Sequence, residues 1–161
     1  MNTACLIVYA SMTGNTEEIA HLIAEGIQLS GSDVEMKDIL EVDVNELQNY
    51  NGILLGAYTW GDGELPDEFI DFYEDMDGLN LQDKIAAAFG SCDFSYEHVG
   101  RAVEILSEKL ENLGAKVVNS GLKIEKTPSS ADKEICINFG KSFGAAMIKR
   151  RDSDEYNSVV S

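Results

Sequence analysis

Residues 4–9 (ACLIVY) form an unbroken apolar run, the pattern of a strand buried on both faces rather than one alternating between core and water. From about Thr16 the period lengthens: Ile19, Ile23 and Ile27, with Ala20 and Leu22 beside them, recur at helical spacing, and Gly31 lies just past the end. A more polar strand is predicted over Asp33–Ile39. The run Gly52–Tyr58 (GILLGAY) is again of the central type. Pro66–Met76 predicts a helix with Pro66 near its first turn and Phe69, Ile70, Phe72 and Tyr73 as its apolar surface. Residues 84–90 (KIAAAFG) predict a third central strand. Glu97–Leu113 is the clearest helix, with Val99, Ala102, Val103, Leu106, Leu110 and Leu113 on one stripe and Gly114 as its stop. Ala115–Val118 and Gly121–Ile124 predict a last strand broken at Asn119–Ser120, and Ile135–Ile148 a closing helix. The polar stretch from Lys149 onward (KRRDSDEYNSVVS) is expected to fray, leaving one domain over residues 1–148 and a tail over 149–161.

Strands alternating with helices imply right-handed βαβ units: a doubly wound α/β fold, with a parallel sheet and helices on both faces. In such sheets ligands bind beyond the carboxyl ends of the strands, where the winding reverses. Three segments occupy that place: Ser11–Thr16, Thr59–Glu64 and Ser91–Tyr96.

The first, Ser11-Met12-Thr13-Gly14-Asn15-Thr16, leaves a buried strand and opens a helix. Ser11, Thr13 and Thr16 bring hydroxyls, Asn15 an amide, and Gly14 lets backbone approach a ligand closely. With the free N–H groups of the helix start these make a phosphate site of hydrogen bonds and helix dipole. Ser and Thr at such a turn also serve as plain helix caps, but their density here favours phosphate. The lysine of a nucleoside triphosphate loop is absent, which suits a phosphate monoester held permanently. In the second, Thr59-Trp60-Gly61-Asp62-Gly63-Glu64, the chain's one Trp is flanked by glycines that permit unusual turns, and Gly61 would let a peptide unit flip at little steric cost. The third, Ser91-Cys92-Asp93-Phe94-Ser95-Tyr96, adds a second loop aromatic. Together the three describe a slot for a flat, phosphorylated ring system.

Composition narrows the partners. The 161 residues carry 29 acids against 12 Lys and Arg, a net charge of −17, and the excess lies wholly in residues 1–83, where Lys37 is the single base. Nucleic acid and anionic membranes are poor partners for such a chain, whereas a basic protein is favoured. No segment approaches the ~18 apolar residues of a membrane span. The N-terminal apolar run is short and unpreceded by Lys or Arg, so no signal peptide is expected. Three scattered cysteines, Cys5, Cys92 and Cys136, fit a reducing cytoplasm and suggest no metal site.

The runs TGNT, TWGDG and GSCDFSYE in the three loops resemble the flavodoxins, which bind FMN non-covalently, and the resemblance extends in order and spacing over about residues 3–148. It implies a five-stranded parallel sheet in the order 2-1-3-4-5, the order that flavodoxin itself exemplifies among doubly wound folds. Lacking a ~20-residue insertion in the last strand, the chain resembles the short-chain members. The resemblance further implies that Ser11 to Thr16 hold the FMN phosphate, Trp60 covers the inner flavin face and Tyr96 stacks on the outer one. Gly61 would offer the carbonyl that turns to accept from flavin N5–H in the semiquinone. The segment Thr59–Asp62 would border the ring, and Ser91, Cys92 and Asp93 would meet its pyrimidine edge. Two positions depart from the family pattern: Met12, where many members have a small or hydroxyl residue, and Cys92, where Gly is common.

The function implied is low-potential one-electron transfer by a monomeric carrier, with the chemistry in the flavin and the tuning in the protein. Its partners would be basic: a flavodoxin or ferredoxin reductase on one side, and acceptors such as a cytochrome P450 or a desaturase on the other. A phosphoacceptor receiver domain shares the winding but needs acids where this chain has Ser11-Met12 and Tyr58-Thr59. An FMN-dependent reductase or quinone reductase of the same fold is the stronger rival. Against it, the sequence places no acid–base set beside the slot: His21 falls within a helix and His98 at the start of another. Between Asp38 and Asp83 lie 13 acids and no base, an expected steering field around the flavin edge.

Overall fold

The computed structural model describes residues 3–60, 63–94 and 99–160. Chain order gives β1 (Ala4–Ala10), α1 (Asn15–Leu29), β2 (Asp33–Asp38), β3 (Gly52–Ala57), α2 (Asp67–Asp75), β4 (Ile85–Cys92), α3 (Arg101–Asn112), β5 (Lys116–Val117), β6 (Leu122–Glu125) and α4 (Ser130–Val160). The strands run parallel in the order β2-β1-β3-β4-β5. The central apolar runs occupy the central places: every residue of β3 and β4 is buried, while the polar β2 lies at an edge and is only half covered.

Alternation along the strands sorts the core into two layers. Leu6, Val8 and Ala10 of β1 join Phe69 and Phe72 of α2 and Val103, Leu106 and Leu110 of α3. Cys5 and Ile7 join Ile19, Ile23 and Ile27 of α1 and Cys136, Phe143 and Met147 of α4. Helices thus cover both faces, and the sheet has no wet side, which is why its strands show no polar alternation.

The fifth strand position is filled by two short segments: β5 pairs with the start of β4 through Ile85 and Ala86, β6 with its end from Phe89 to Cys92. Between them Asn119 (φ 74°) and Gly121 (φ 98°) take left-handed conformations that break the ladder, at the predicted place and without a long insertion. The third helix begins at Arg101, because Gly100 turns left-handed (φ 66°) just before it; the expected start at Glu97 lies outside the described residues. A Cβ on Gly100 would come within 2.9 Å of both the Lys123 side chain and Cys92 Sγ, so the turn requires glycine. α4 continues as helix through Val160, 31 residues in all, and so takes in the stretch from Lys149 to Val160. No Pro or Gly follows Gly144, and Arg150 reaches Asp154 one turn on at 3.6 Å.

Candidate functional site

The carboxyl ends of β1, β3 and β4 open into a pocket of about 300 Å³. Its first wall is Met12, Thr13, Asn15 and Thr16; its second is Tyr58 and Thr59; its third is Ser91, Cys92 and Asp93, with Gly100 and Lys126 closing the rim.

The first wall is shaped by Ser11 and Gly14. Ser11 Oγ accepts from the N–H of Gly14 at 3.1 Å and of Glu17 at 3.2 Å, leaving its proton free to donate. Gly14 stands at φ 89°, which turns the chain into α1 at Asn15. Among the described residues, no group accepts from the N–H of Met12, Thr13, Asn15 or Thr16. Four donors without a protein acceptor, at the positive end of a 15-residue helix, are the chemistry of an anion cradle. They fit a terminal phosphate. The two acids of the first turn, Glu17 and Glu18, complement the same dipole from outside the pocket lining.

The second wall is held from two sides. Thr59 Oγ1 accepts from the Ala102 N–H at 3.3 Å, tying this loop to the start of α3. Tyr58 donates its hydroxyl to Glu68 at 2.9 Å; burial first, then this bond to a carboxylate, pushes the phenol up to about 12. The Tyr58 ring meets Trp60 edge-on, centroids 6.5 Å apart and planes at 74°. Trp60 is 47% exposed, so its indole is not committed to the core. Its backbone pairs with Glu64 in both directions (2.8 and 2.9 Å), pinning the two ends of a tight turn. Gly61 and Asp62 lie outside the described residues, as does Tyr96.

The third wall is joined to the chain after β6. Lys126 N–H donates to the Cys92 carbonyl at 2.9 Å, and Ser91 Oγ donates to the Lys126 carbonyl at 3.2 Å. Burial pushes the Cys92 thiol up to about 11, which keeps it neutral. Behind it Lys123 Nζ donates to the Val99 carbonyl at 2.9 Å and to Glu104 at 3.0 Å, and Arg101 meets the other Glu104 oxygen at 3.3 Å. The bond from Lys123 is the main reason the Glu104 carboxyl titrates below its usual range.

Of the expected site residues, Met12, Thr13, Asn15, Thr16, Thr59, Ser91, Cys92 and Asp93 line one pocket. Ser11, Gly14 and Trp60 stand next to lining residues in the chain without lining it themselves. Tyr58, Gly100 and Lys126 line it unanticipated. Gly100 carried a usable signal, a glycine near a predicted helix start. Lys126 carried none, because the return of the fifth strand to β4 is a long-range event. Among the described residues, no group of His, Cys, Asp and Glu is placed to hold a metal ion, and no helix is long and apolar enough to cross a membrane.

A doubly wound sheet with an anion cradle after β1 and an aromatic turn after β3 defines a nucleotide-binding protein at the switch point of its winding. The comparisons specify which one. A profile of the flavodoxin family matches residues 7–140. The probable flavodoxin 2 of Bacillus subtilis (strain 168) is 42% identical over 139 residues, 86% of this chain and 92% of its own. The crystal structure of oxidised flavodoxin 1 from Bacillus cereus superposes with a TM-score of 0.85 at 50% identity, covering 88% of this chain and 97% of that one. Oxidised flavodoxin 2 from the same organism gives 0.86 at 45% identity, covering 89% and 99%. The chain belongs to the flavodoxin family, and within it to the short-chain type: a flavin-binding electron carrier.

Proposed function

We propose that the protein is a cytoplasmic, low-potential one-electron carrier whose flavin is FMN, phosphate on Ser11–Thr16 and ring between Trp60 and Tyr96. The observation that carries this reading is the set of four N–H groups in Met12, Thr13, Asn15 and Thr16 with no protein acceptor among the described residues. A nucleoside triphosphate loop of the GxxxxGKS/T type carries a lysine that Ser11–Thr16 lacks; a single monoester does not call for one. Bound there, the flavin supplies the redox chemistry, and the chain's own residues orient it and set its field.

Two features favour a carrier over a reductase. Tyr58 is committed to Glu68, and Cys92 is held neutral by burial, so neither serves as a ready proton donor and acceptor at neutral pH. The exposed acids Glu64, Asp67 and Asp71 follow the second loop. A carboxylate ~10 Å from a reduced ring raises its energy by about 0.4 kcal/mol at ε ~80 and about 1.7 kcal/mol at ε ~20. Several such acids lower a one-electron potential by on the order of 100 mV.

The test is a purified holoprotein. Its absorbance spectrum should be that of an oxidised flavin, the extracted cofactor should be FMN, and stepwise anaerobic reduction should pass through two separate one-electron stages. A single two-electron stage would select the reductase reading instead. A colourless protein that takes up neither FMN nor riboflavin would remove the cofactor assignment.

A further inference from the structure

Lys126 is the one Lys or Arg among the residues lining the pocket, which it shares with Met12, Thr13, Asn15 and Thr16. Its backbone is fixed on both sides, N–H to the Cys92 carbonyl and carbonyl to Ser91 Oγ. The next residue, Thr127, donates its hydroxyl to Asn15 Oδ1 at 3.1 Å. The segment is therefore tied at once to the end of β4 and to the first turn of α1. Lys126 also stands at φ 52°, a left-handed conformation that favours glycine. In a chain of 29 acids, Lys37, Arg101, Lys109, Lys123 and Lys133 all have carboxylate partners. Lys126, like Lys84, Lys116, Lys141 and Lys149, has no carboxylate partner among the described residues, and of these lysines it alone lines this pocket.

A phosphate monoester carries close to two negative charges at neutral pH. Backbone N–H groups and hydroxyls satisfy its hydrogen bonds but leave that charge uncompensated, in a half of the chain whose own balance is −17. One ammonium within reach of the cradle would change this, and its partner would arrive with the cofactor. We propose that Lys126 binds the FMN phosphate through its side chain, adding a cation to a cradle otherwise built of neutral donors. This inference rests on the FMN reading and concerns the phosphate end of the cofactor only.

The experiment compares FMN with riboflavin, which has the same ring and no phosphate, by fluorescence titration of the full chain. Lys126→Gln should weaken FMN about three- to tenfold and leave riboflavin within about 1.5-fold, and the FMN difference should shrink between about 20 and about 500 mM salt. Lys126→Arg should stay near wild type. Lys126→Gly, which suits the left-handed backbone, should weaken FMN as Lys126→Gln does. Its flavin-free melting temperature should not fall, so loss of affinity is separated from loss of fold. FMN and riboflavin falling together, or FMN unaffected by loss of the charge, would overturn the proposal while leaving the FMN reading intact. A wild-type chain that binds neither flavin would overturn both.

Discussion

Ser11 illustrates how little chemistry the phosphate loop needs to hold its shape. One hydroxyl oxygen accepts from the N–H of Gly14 and Glu17, bending the chain so that the N–H groups between them stay available. Removing it should let those donors swing out of the cradle toward water. With net hydrogen bonds worth about 1 kcal/mol each, Ser11→Ala should weaken FMN binding by about 1–2 kcal/mol, roughly 5- to 30-fold, with little change in the melting temperature of the flavin-free chain. Titration of both forms with FMN checks this. Burial governs the cysteines in the same local way. All three are free and buried, and the Cys92 thiol is raised to about 11 although it lines the pocket. At pH 8 a thiol so shifted is only about one part in a thousand thiolate. Native protein should therefore resist iodoacetamide at that pH, and denatured protein should take up three equivalents. The sign of the linkage follows. The folded state keeps the Cys92 proton to higher pH than the unfolded one, so this contribution to stability is full below about pH 9. It declines as pH climbs toward 11, and a shallower alkaline limb in Cys92→Ala would show it.

At the scale of elements, α1 and α4 come closer than side chains normally allow. A Cβ on Gly26 would lie 2.0 Å from the Ile137 carbonyl oxygen, and one on Gly140 would lie 2.1 Å from that of Ile23. Alanine favours a helix by up to ~1 kcal/mol over glycine, but a backbone clash of this depth forces the helices apart. Either Gly26→Ala or Gly140→Ala should lower stability by about 2–3 kcal/mol, read as a shift in the urea midpoint. The pattern that predicted α1, isoleucines at 19, 23 and 27, says nothing about this contact. Periodicity records which face is apolar and not how near the facing backbone lies. The same limit explains the other boundary differences. Gly100 ends a turn because Lys123 and Cys92, from distant strands, close over it. Lys149 to Val160 continue the helix with no Pro or Gly to stop it, and the Arg150–Asp154 pair adds a small local contribution that the polar composition concealed. What was legible came from short range: the central strands 4–9, 52–58 and 84–90, and the loops at their ends. Because, among the described residues, none beyond Ile148 belongs to either buried cluster, truncation there should leave FMN binding unchanged and move the midpoint by less than about 0.5 kcal/mol.

At the scale of the whole molecule, the two halves of the chain differ in charge but share one sheet, so the asymmetry becomes a direction in space. The exposed residues of α2 include Asp67, Asp71, Glu74 and Asp75, with no base among them, and this helix follows directly on the turn that carries Trp60. Of the basic residues of the second half, Arg101 and Lys123 pair with Glu104 and Lys133 with Glu18, while Lys109 lies over the Tyr73 ring of α2 and pairs with Asp77 just past its end. A partner approaching the edge of the ring therefore meets a predominantly acidic field. Such fields act chiefly on association rate, and they are screened within ~8 Å at physiological ionic strength. Reduction of the holoprotein by a basic reductase should accordingly slow by tenfold or more between about 20 and about 300 mM salt, with the limiting rate at saturating reductase changing far less. Replacing Asp67, Asp71 and Glu74 together by their amides should flatten that dependence. The same replacement should leave FMN affinity within about twofold, because none of the three lines the pocket. A salt response unchanged by the triple replacement would move the docking face away from α2 and onto the remaining acids of the first half.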